Sequence, residues 1–127
     1  MPVKDVAEGL VAKCRKGDFL DAVDQYYDEN IVSVEPVGSA DMPAELRGKK
    51  AVRRKNERWE DRFEVHGVDV RGPFIGDQEF AVQYTMDVTH KPTGARSRMT
   101  EMALYKVAND RIVREEFFYN AGDGGGE

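Results

Sequence analysis

The stretch that decides the fold is QEFAVQYTMDVTHK, residues Gln78–Lys91, in which apolar and polar side chains alternate. Alternation with period two is typical of a β-strand that buries one of its faces. One face carries Phe80, Val82, Tyr84, Met86 and Val88, and the other carries Glu79, Gln83, Thr85, Asp87 and Thr89. We expect the first face to pack against the helices and the second to be solvated or to form a subunit contact.

Three further segments repeat this alternation around the first one. They are EVHGVDVRGPF (64–74), ARSRMTEMALYKV (95–107) and RIVREEFFYN (111–120). The turn sequences GD, PTG and AND separate them, and short turns of this composition join antiparallel neighbours. The C-terminal half therefore predicts an antiparallel meander.

The N-terminal half has helical periodicity instead. Apolar residues recur at helical spacing from Val3 to Cys14. Asp18 is expected to cap a second helix that ends near Asn30, and residues 31–35 are read as a short strand. A third helix is predicted from Gly48, and its buried stripe consists of Val52, Asn56, Trp59 and Phe63.

Helices followed by antiparallel strands predict an α+β fold with three N-terminal helices packed on a strongly curved sheet of four to six strands. Such a sheet, with helices across its mouth, forms a cone that encloses a cavity. We expect one domain over residues 1–120 and a disordered glycine-rich tail over residues 121–127.

Composition excludes several classes of function. The net charge of −5 over 127 residues argues against a nucleic-acid partner, and no apolar run is long enough to span a membrane. The chain has one cysteine, two histidines and no cluster of either, so we expect no metal site. The single cysteine and the lack of a signal sequence predict a cytoplasmic protein. The basic residues of the third helix alternate with acidic ones and are interpreted as a solvated face.

The segment IVSVEPVG, residues 31–38, ends its strand on a carboxylate that is followed at once by proline. Glu35 is then either a solvated residue that begins the turn or a base held at the mouth of a pocket. Both alternatives remain open from the residues alone.

The order of elements resembles the nuclear transport factor 2-like superfamily, and in particular its SnoaL-like proteins. The resemblance rests on GDFLDAVDQYY, VEPVG, LRGKKAV and RIVREEFFYN, in this order and spacing. It implies a cone-shaped fold that hosts isomerases, cyclases, hydrolases and non-enzymatic adaptors. It implies no cofactor, and it implies a homodimer through the outer sheet face.

VEPVGS is similar to the ketosteroid isomerase segment in which an acid before Pro-Val-Gly shuttles a proton, which implies that Glu35 is the base. Those enzymes also use a tyrosine in the first helix, where this chain has Leu10, and an acid on a late strand. That acid would fall near Met102 or Ala103, with Glu101 adjacent. We therefore expect an activity other than ketosteroid isomerisation.

Other candidates for the cavity depend on which strand face points inward. Glu101 shares a face with Met99, Ala103, Tyr105 and Val107. Its inward placement and the reverse, with Met102 inward, both fit the alternation. Glu115 and Glu116 lie on opposite faces, and Glu116 shares its face with Ile112, Arg114 and Phe118. The candidate pocket residues are Asn56, Trp59, His66, Tyr84, Glu101, Glu116 and Phe118.

Two functions of different class fit these residues. The first is a cofactor-independent isomerase, cyclase or hydrolase that acts on a small apolar or aromatic carbonyl compound. In it Glu35 is the base, and Tyr84, Asn56 or His66 orients the substrate. The second is a non-catalytic module that carries a small ligand or acts as an adaptor.

Overall fold

The computed structural model describes residues 2–40 and 42–120 of the chain. Within these residues the chain forms three helices and six strands. In chain order the elements are α1 (Val3–Arg15), α2 (Phe19–Tyr26), β1 (Tyr27–Val34), β2 (Glu45–Arg47), α3 (Lys49–Arg62), β3 (Phe63–Ile75), β4 (Glu79–His90), β5 (Ala95–Ala108) and β6 (Arg111–Phe118). The predicted tail, residues 121–127, lies outside the described residues.

The six strands form one open, curved sheet in the order β2-β1-β6-β5-β4-β3. The strands from β3 to β6 pair antiparallel with their neighbours, whereas β1 pairs antiparallel with β2 and parallel with β6. The predicted α+β class, with three helices and a curved sheet, is confirmed. The sheet is mixed rather than wholly antiparallel, because β1 and β6 are distant in sequence and no tight turn fixes their relative direction.

The junction between α2 and β1 differs from the prediction. The helix ends at Tyr26 and the strand begins at Tyr27, so the helix does not continue to Asn30. Tyr27 is buried, and its backbone is already extended. Its tertiary contacts thus override the local helical pattern. The edge strand β2 was not predicted, since three residues are too few to show a period.

The inner face of the sheet is lined as the alternation in β4 predicts. Phe80, Val82, Tyr84, Met86 and Val88 are all buried. Opposite them on β5, the buried residues are Met99, Ala103, Tyr105 and Val107. This pattern settles the face of Glu101, because it lies between Met99 and Ala103 on the inner side and pairs in register with Tyr84.

A bulge in β3 reverses the alternation at His66. Val65 pairs with Val88 and Gly67 pairs with Asp87, so His66 is an extra residue without a partner in the ladder. The inward prediction for His66 is wrong: the residue is exposed, and its Nε2 lies 2.7 Å from Thr89 Oγ1. The extra residue moves His66 out of the row that contains Val70.

A second bulge acts in the same way in β6. Val107 pairs with Ile112, but Lys106 pairs with Arg114, which leaves Val113 as the extra residue. After this bulge Glu115 lies on the same inner face as Ile112, and both are buried. Glu116 and Phe118 therefore lie on the outer face, contrary to their predicted place in the pocket.

The helices cover the inner face of the sheet. Buried residues of α1, α2 and α3 join buried residues of the sheet in a main core, which includes Val6, Leu10, Val23, Val52, Phe80 and Val82. A second, smaller cluster consists of Phe63, Met86, Val88 and Met99. In the described residues no helix has both the length and the apolar composition that crossing a membrane requires.

Candidate functional site

A cavity of about 250 Å³ lies between the helices and the inner face of the sheet. Its walls are largely apolar and include Leu10, Phe19, Trp59, Phe63, Met86 and Met99. Trp59 stacks on Phe63 with ring centroids 4.9 Å apart. Rigid aromatic walls of this kind suit a small, mostly apolar ligand.

Glu35 lies at the edge of this cavity, directly after β1. Its Oε2 accepts a hydrogen bond from Lys55 Nζ at 3.0 Å, and its Oε1 accepts one from the Tyr119 hydroxyl at 2.8 Å. The Glu35 side chain is 22% exposed. Both of its oxygens are thus held by a charged or polar donor, and the carboxylate does not stand alone among apolar walls.

Lys55 links Glu35 to a second carboxylate deeper in the fold. Lys55 Nζ donates to Ser33 Oγ at 2.8 Å and lies 3.9 Å from Glu115 Oε2. Glu115 is 1% exposed. It accepts hydrogen bonds from the Tyr27 hydroxyl and from Ser33 Oγ, the latter at 2.7 Å. A buried carboxylate needs this kind of compensation.

Glu101 also lines the cavity, from the inner face of β5. Burial raises the pKa of the Glu101 carboxyl most, and the charges of Glu35 and Glu115 add to this effect. Against the opposing effect of Lys55, the pKa reaches about 8. Glu101 is therefore mostly protonated at neutral pH. A protonated carboxyl can donate a hydrogen bond, which an ionised one cannot.

Tyr84 pairs in register with Glu101, and its hydroxyl belongs to a buried group with Tyr105 and Cys14. Its hydroxyl shares a hydrogen bond of 2.7 Å with the Tyr105 hydroxyl and lies 3.7 Å from Cys14 Sγ. Burial raises the pKa of both tyrosines well above the ordinary value. Both hydroxyls are thus neutral groups that can donate.

Cys14 should be inert towards alkylation in the folded protein. Burial raises the pKa of its thiol to about 12, and only the thiolate reacts with iodoacetamide. We expect no carbamidomethylation of native protein at neutral pH and complete modification in guanidinium chloride, as read by intact mass. Modification of the native protein at the rate of the unfolded chain would contradict the buried placement.

A family model for the SnoaL-like domain matches residues 1–119. The chain belongs to the SnoaL-like family. No functionally curated protein shows significant sequence similarity to this SnoaL-like chain.

Solved structures resemble the SnoaL-like chain over nearly its whole length. A Mesorhizobium loti protein with the provisional name SnoaL-like polyketide cyclase [carbohydrate phosphatase] is 35% identical, with a TM-score of 0.87, and the match covers 94% of this chain and 100% of that one. A Bacillus subtilis protein provisionally named an isomerase is 19% identical, with a TM-score of 0.74 and coverage of 98% and 97%. A Burkholderia pseudomallei NTF2-like protein of unknown function is 14% identical, with a TM-score of 0.80 and coverage of 96% and 93%. The last two show a common fold only.

In the SnoaL-like protein the predicted site residues divide into two groups. Glu35, Asn56, Trp59, Tyr84 and Glu101 line the cavity. Asn56 Nδ2 donates to its own helix, to the carbonyl of Val52 at 3.1 Å. The residues outside the cavity lining are His66, Glu116 and Phe118. In residues 2–40 and 42–120, no three His, Cys, Asp or Glu side chains are grouped to hold a metal ion.

Sequence reasoning missed Lys55, because the basic residues of α3 were all assigned to the solvated face. That interpretation is wrong for Lys55, whose side chain is 17% exposed and lines the cavity of the SnoaL-like protein. The helical spacing could have found it, since Lys55 follows Val52 by three residues and precedes Trp59 by four. Glu115 and Tyr119 were also missed as cavity residues, and Ser33 was missed as the hydroxyl between Lys55 and Glu115.

Proposed function

We propose that this protein is a cofactor-independent isomerase or cyclase that acts on a small, largely apolar carbonyl compound in its cavity. The observation that carries the proposal is a pair of carboxyl groups in opposite environments. Glu35 is paired with the Lys55 cation, whereas burial and neighbouring charge keep Glu101 protonated. Two carboxyl groups in such different environments can serve as base and acid in one reaction.

The proposed chemistry is a proton transfer. Glu35 removes a proton from the carbon next to the carbonyl, and the C–H electron pair moves into an enolate. Glu101 stabilises the enolate oxygen through its O–H donor. In an isomerisation the proton then returns to another carbon. In a cyclisation the enolate carbon attacks a second carbonyl, and the alkoxide that forms takes the proton back from Glu35. No oxidant or reductant is required.

Exchange of the acidic carbon-bound proton for deuterium tests this proposal without knowledge of the product. We expect the protein to accelerate exchange in one or more members of a panel of neutral one- and two-ring ketones in D2O, as followed by proton NMR. Glu35→Gln should slow the exchange about a hundredfold, because it removes the base while preserving shape. Glu116→Gln is the matched control on the outer face and should retain the full rate. Equal rates for all three proteins would refute Glu35 as the base.

A second candidate is a non-catalytic carrier of the same class of ligand. Its support is that both oxygens of Glu35 already accept hydrogen bonds, which suits a fixed binding group. Native mass spectrometry of the purified protein distinguishes the two candidates. A co-purified molecule whose carbon-bound protons the protein does not exchange for deuterium would favour the carrier.

We propose in addition that the protein forms a homodimer through the outer face of its sheet. The polar row of β4 on that face adjoins Met102 and Phe118, which pair across β5 and β6 and are 40% and 48% exposed. Light scattering should then give twice the chain mass of 14.3 kDa. Phe118→Glu should lower that mass towards the monomer, while Val37→Glu on the exposed loop should not. A monomeric wild-type protein at micromolar concentration would refute the dimer.

We also propose a cytoplasmic location. Its support is Cys14, a free and buried thiol that suits a reducing compartment. Fractionation of cells that produce the untagged protein tests this, with the soluble cytoplasmic fraction as the expected location. Recovery in an exported fraction would contradict it.

A further inference from the structure

The ammonium group of Lys55 is held inside the fold by polar, charged and aromatic neighbours. Its ammonium group contacts Glu35, Ser33 and Glu115, at 3.0, 2.8 and 3.9 Å, and lies 5.1 Å from the centre of the Phe117 ring. An ammonium group has three N–H donors. These contacts come from β1, from Glu35 directly after it and from β6, and they fix the direction of the side chain from α3.

The charges around Lys55 explain what these contacts achieve. Three carboxyl groups, those of Glu35, Glu101 and Glu115, line the same cavity. Like charges in one cavity disfavour ionisation of each other, and a cation among them offsets this repulsion. Arg58 and Arg62 of α3 and the hydroxyl of Tyr119 also line the cavity. The short contact to Glu35 makes Lys55 the cation that compensates that carboxylate directly.

We propose that Lys55 is a positioning residue that orients the Glu35 carboxylate and compensates its charge, and that it acts on a bound ligand through Glu35. This inference rests on the proposed role of Glu35 as the base. In this arrangement Ser33 and Glu115 hold Lys55, Lys55 and Tyr119 hold Glu35, and Glu35 faces the ligand. Glu115 is then the buried anchor of the site and not a second base.

A double-mutant cycle tests this arrangement without a known substrate. The unfolding equilibrium constant is measured by urea denaturation for wild type, Lys55→Met, Glu35→Gln and the double variant. If Lys55 acts on Glu35, Lys55→Met should raise the unfolding equilibrium constant by a smaller factor in the Glu35→Gln background than in wild type. The two factors should differ about tenfold. Lys50→Met, an exposed lysine of the same helix, is the matched control and should have the same effect in both backgrounds. Equal effects of Lys55→Met in both backgrounds would overturn the inference.

The deuterium-exchange assay supplies the functional readout. Lys55→Met should slow exchange, the double variant should be no slower than Glu35→Gln alone, and Lys55→Arg should recover part of the rate by restoring the charge. Additive losses in the double variant would overturn the inference. If Lys55→Met does not fold, Lys55→Gln replaces it in both measurements. Glu35→Gln could exchange at the wild-type rate while the double-mutant cycle shows coupling between Lys55 and Glu35. That result would overturn the proposed function and still support the pairing of Lys55 with Glu35.

Discussion

Glu101→Gln should make the folded protein more stable than wild type at about pH 8 and leave it nearly unchanged below pH 4.5. The folded pKa of about 8 lies above the ordinary value of 4.5. Between these values the unfolded chain releases a proton that the folded chain keeps, so wild-type stability falls as pH rises through this window. Glutamine removes this loss. The expected gain in unfolding free energy at pH 8 is on the order of 2–4 kcal/mol. This is less than the full difference between the two pKa values would give, because Glu101 is only partly buried.

Urea unfolding from acidic to alkaline pH measures this difference. Glu116→Gln is again the control, because it makes the same chemical change on the outer face of the sheet. The control should follow wild type at every pH. A Glu101→Gln curve that runs parallel to wild type across the whole range would show that Glu101 titrates like an exposed carboxyl group.

Lys55→Met should lower the unfolding free energy by about 2–4 kcal/mol at neutral pH. The substitution keeps most of the length of the side chain but leaves Glu35 and Glu115 without their shared cation in a partly water-excluded site. Removing one partner of a buried ion pair costs more than the pair contributes, because the remaining charge is uncompensated. Lys50→Met should change the unfolding free energy by no more than about 0.5 kcal/mol. Equal losses for the two lysine variants would contradict the environment described for Lys55.

The features that follow from local periodicity could be predicted from the sequence. The inner face of β4 and the three helices rest on unbroken patterns of spacing. The cavity position of Glu35 was implied only by the resemblance of VEPVGS to the ketosteroid isomerase segment, because the residues alone left both alternatives open. The inward predictions for His66, Glu116 and Phe118 are wrong, and local periodicity could not have shown this. The placement of these residues depends on two bulges, and a bulge is set by the pairing with a neighbouring strand. The role of Lys55 was hidden for a related reason, since a lysine among charged neighbours shows its partner only when β1 and β6 are placed beside α3.

The Val113 bulge has a consequence for how the cavity of such a protein can change. Beyond an extra residue in a strand, every side chain changes sides. If Val113 were paired in the ladder instead, Glu116 and Phe118 would replace Glu115, Phe117 and Tyr119 in the interior, with no substitution at any of these positions. The opening or closing of one bulge therefore alters the chemistry of the lining more than several point mutations do. Comparison of relatives by aligned residue type alone overlooks this route to a new pocket.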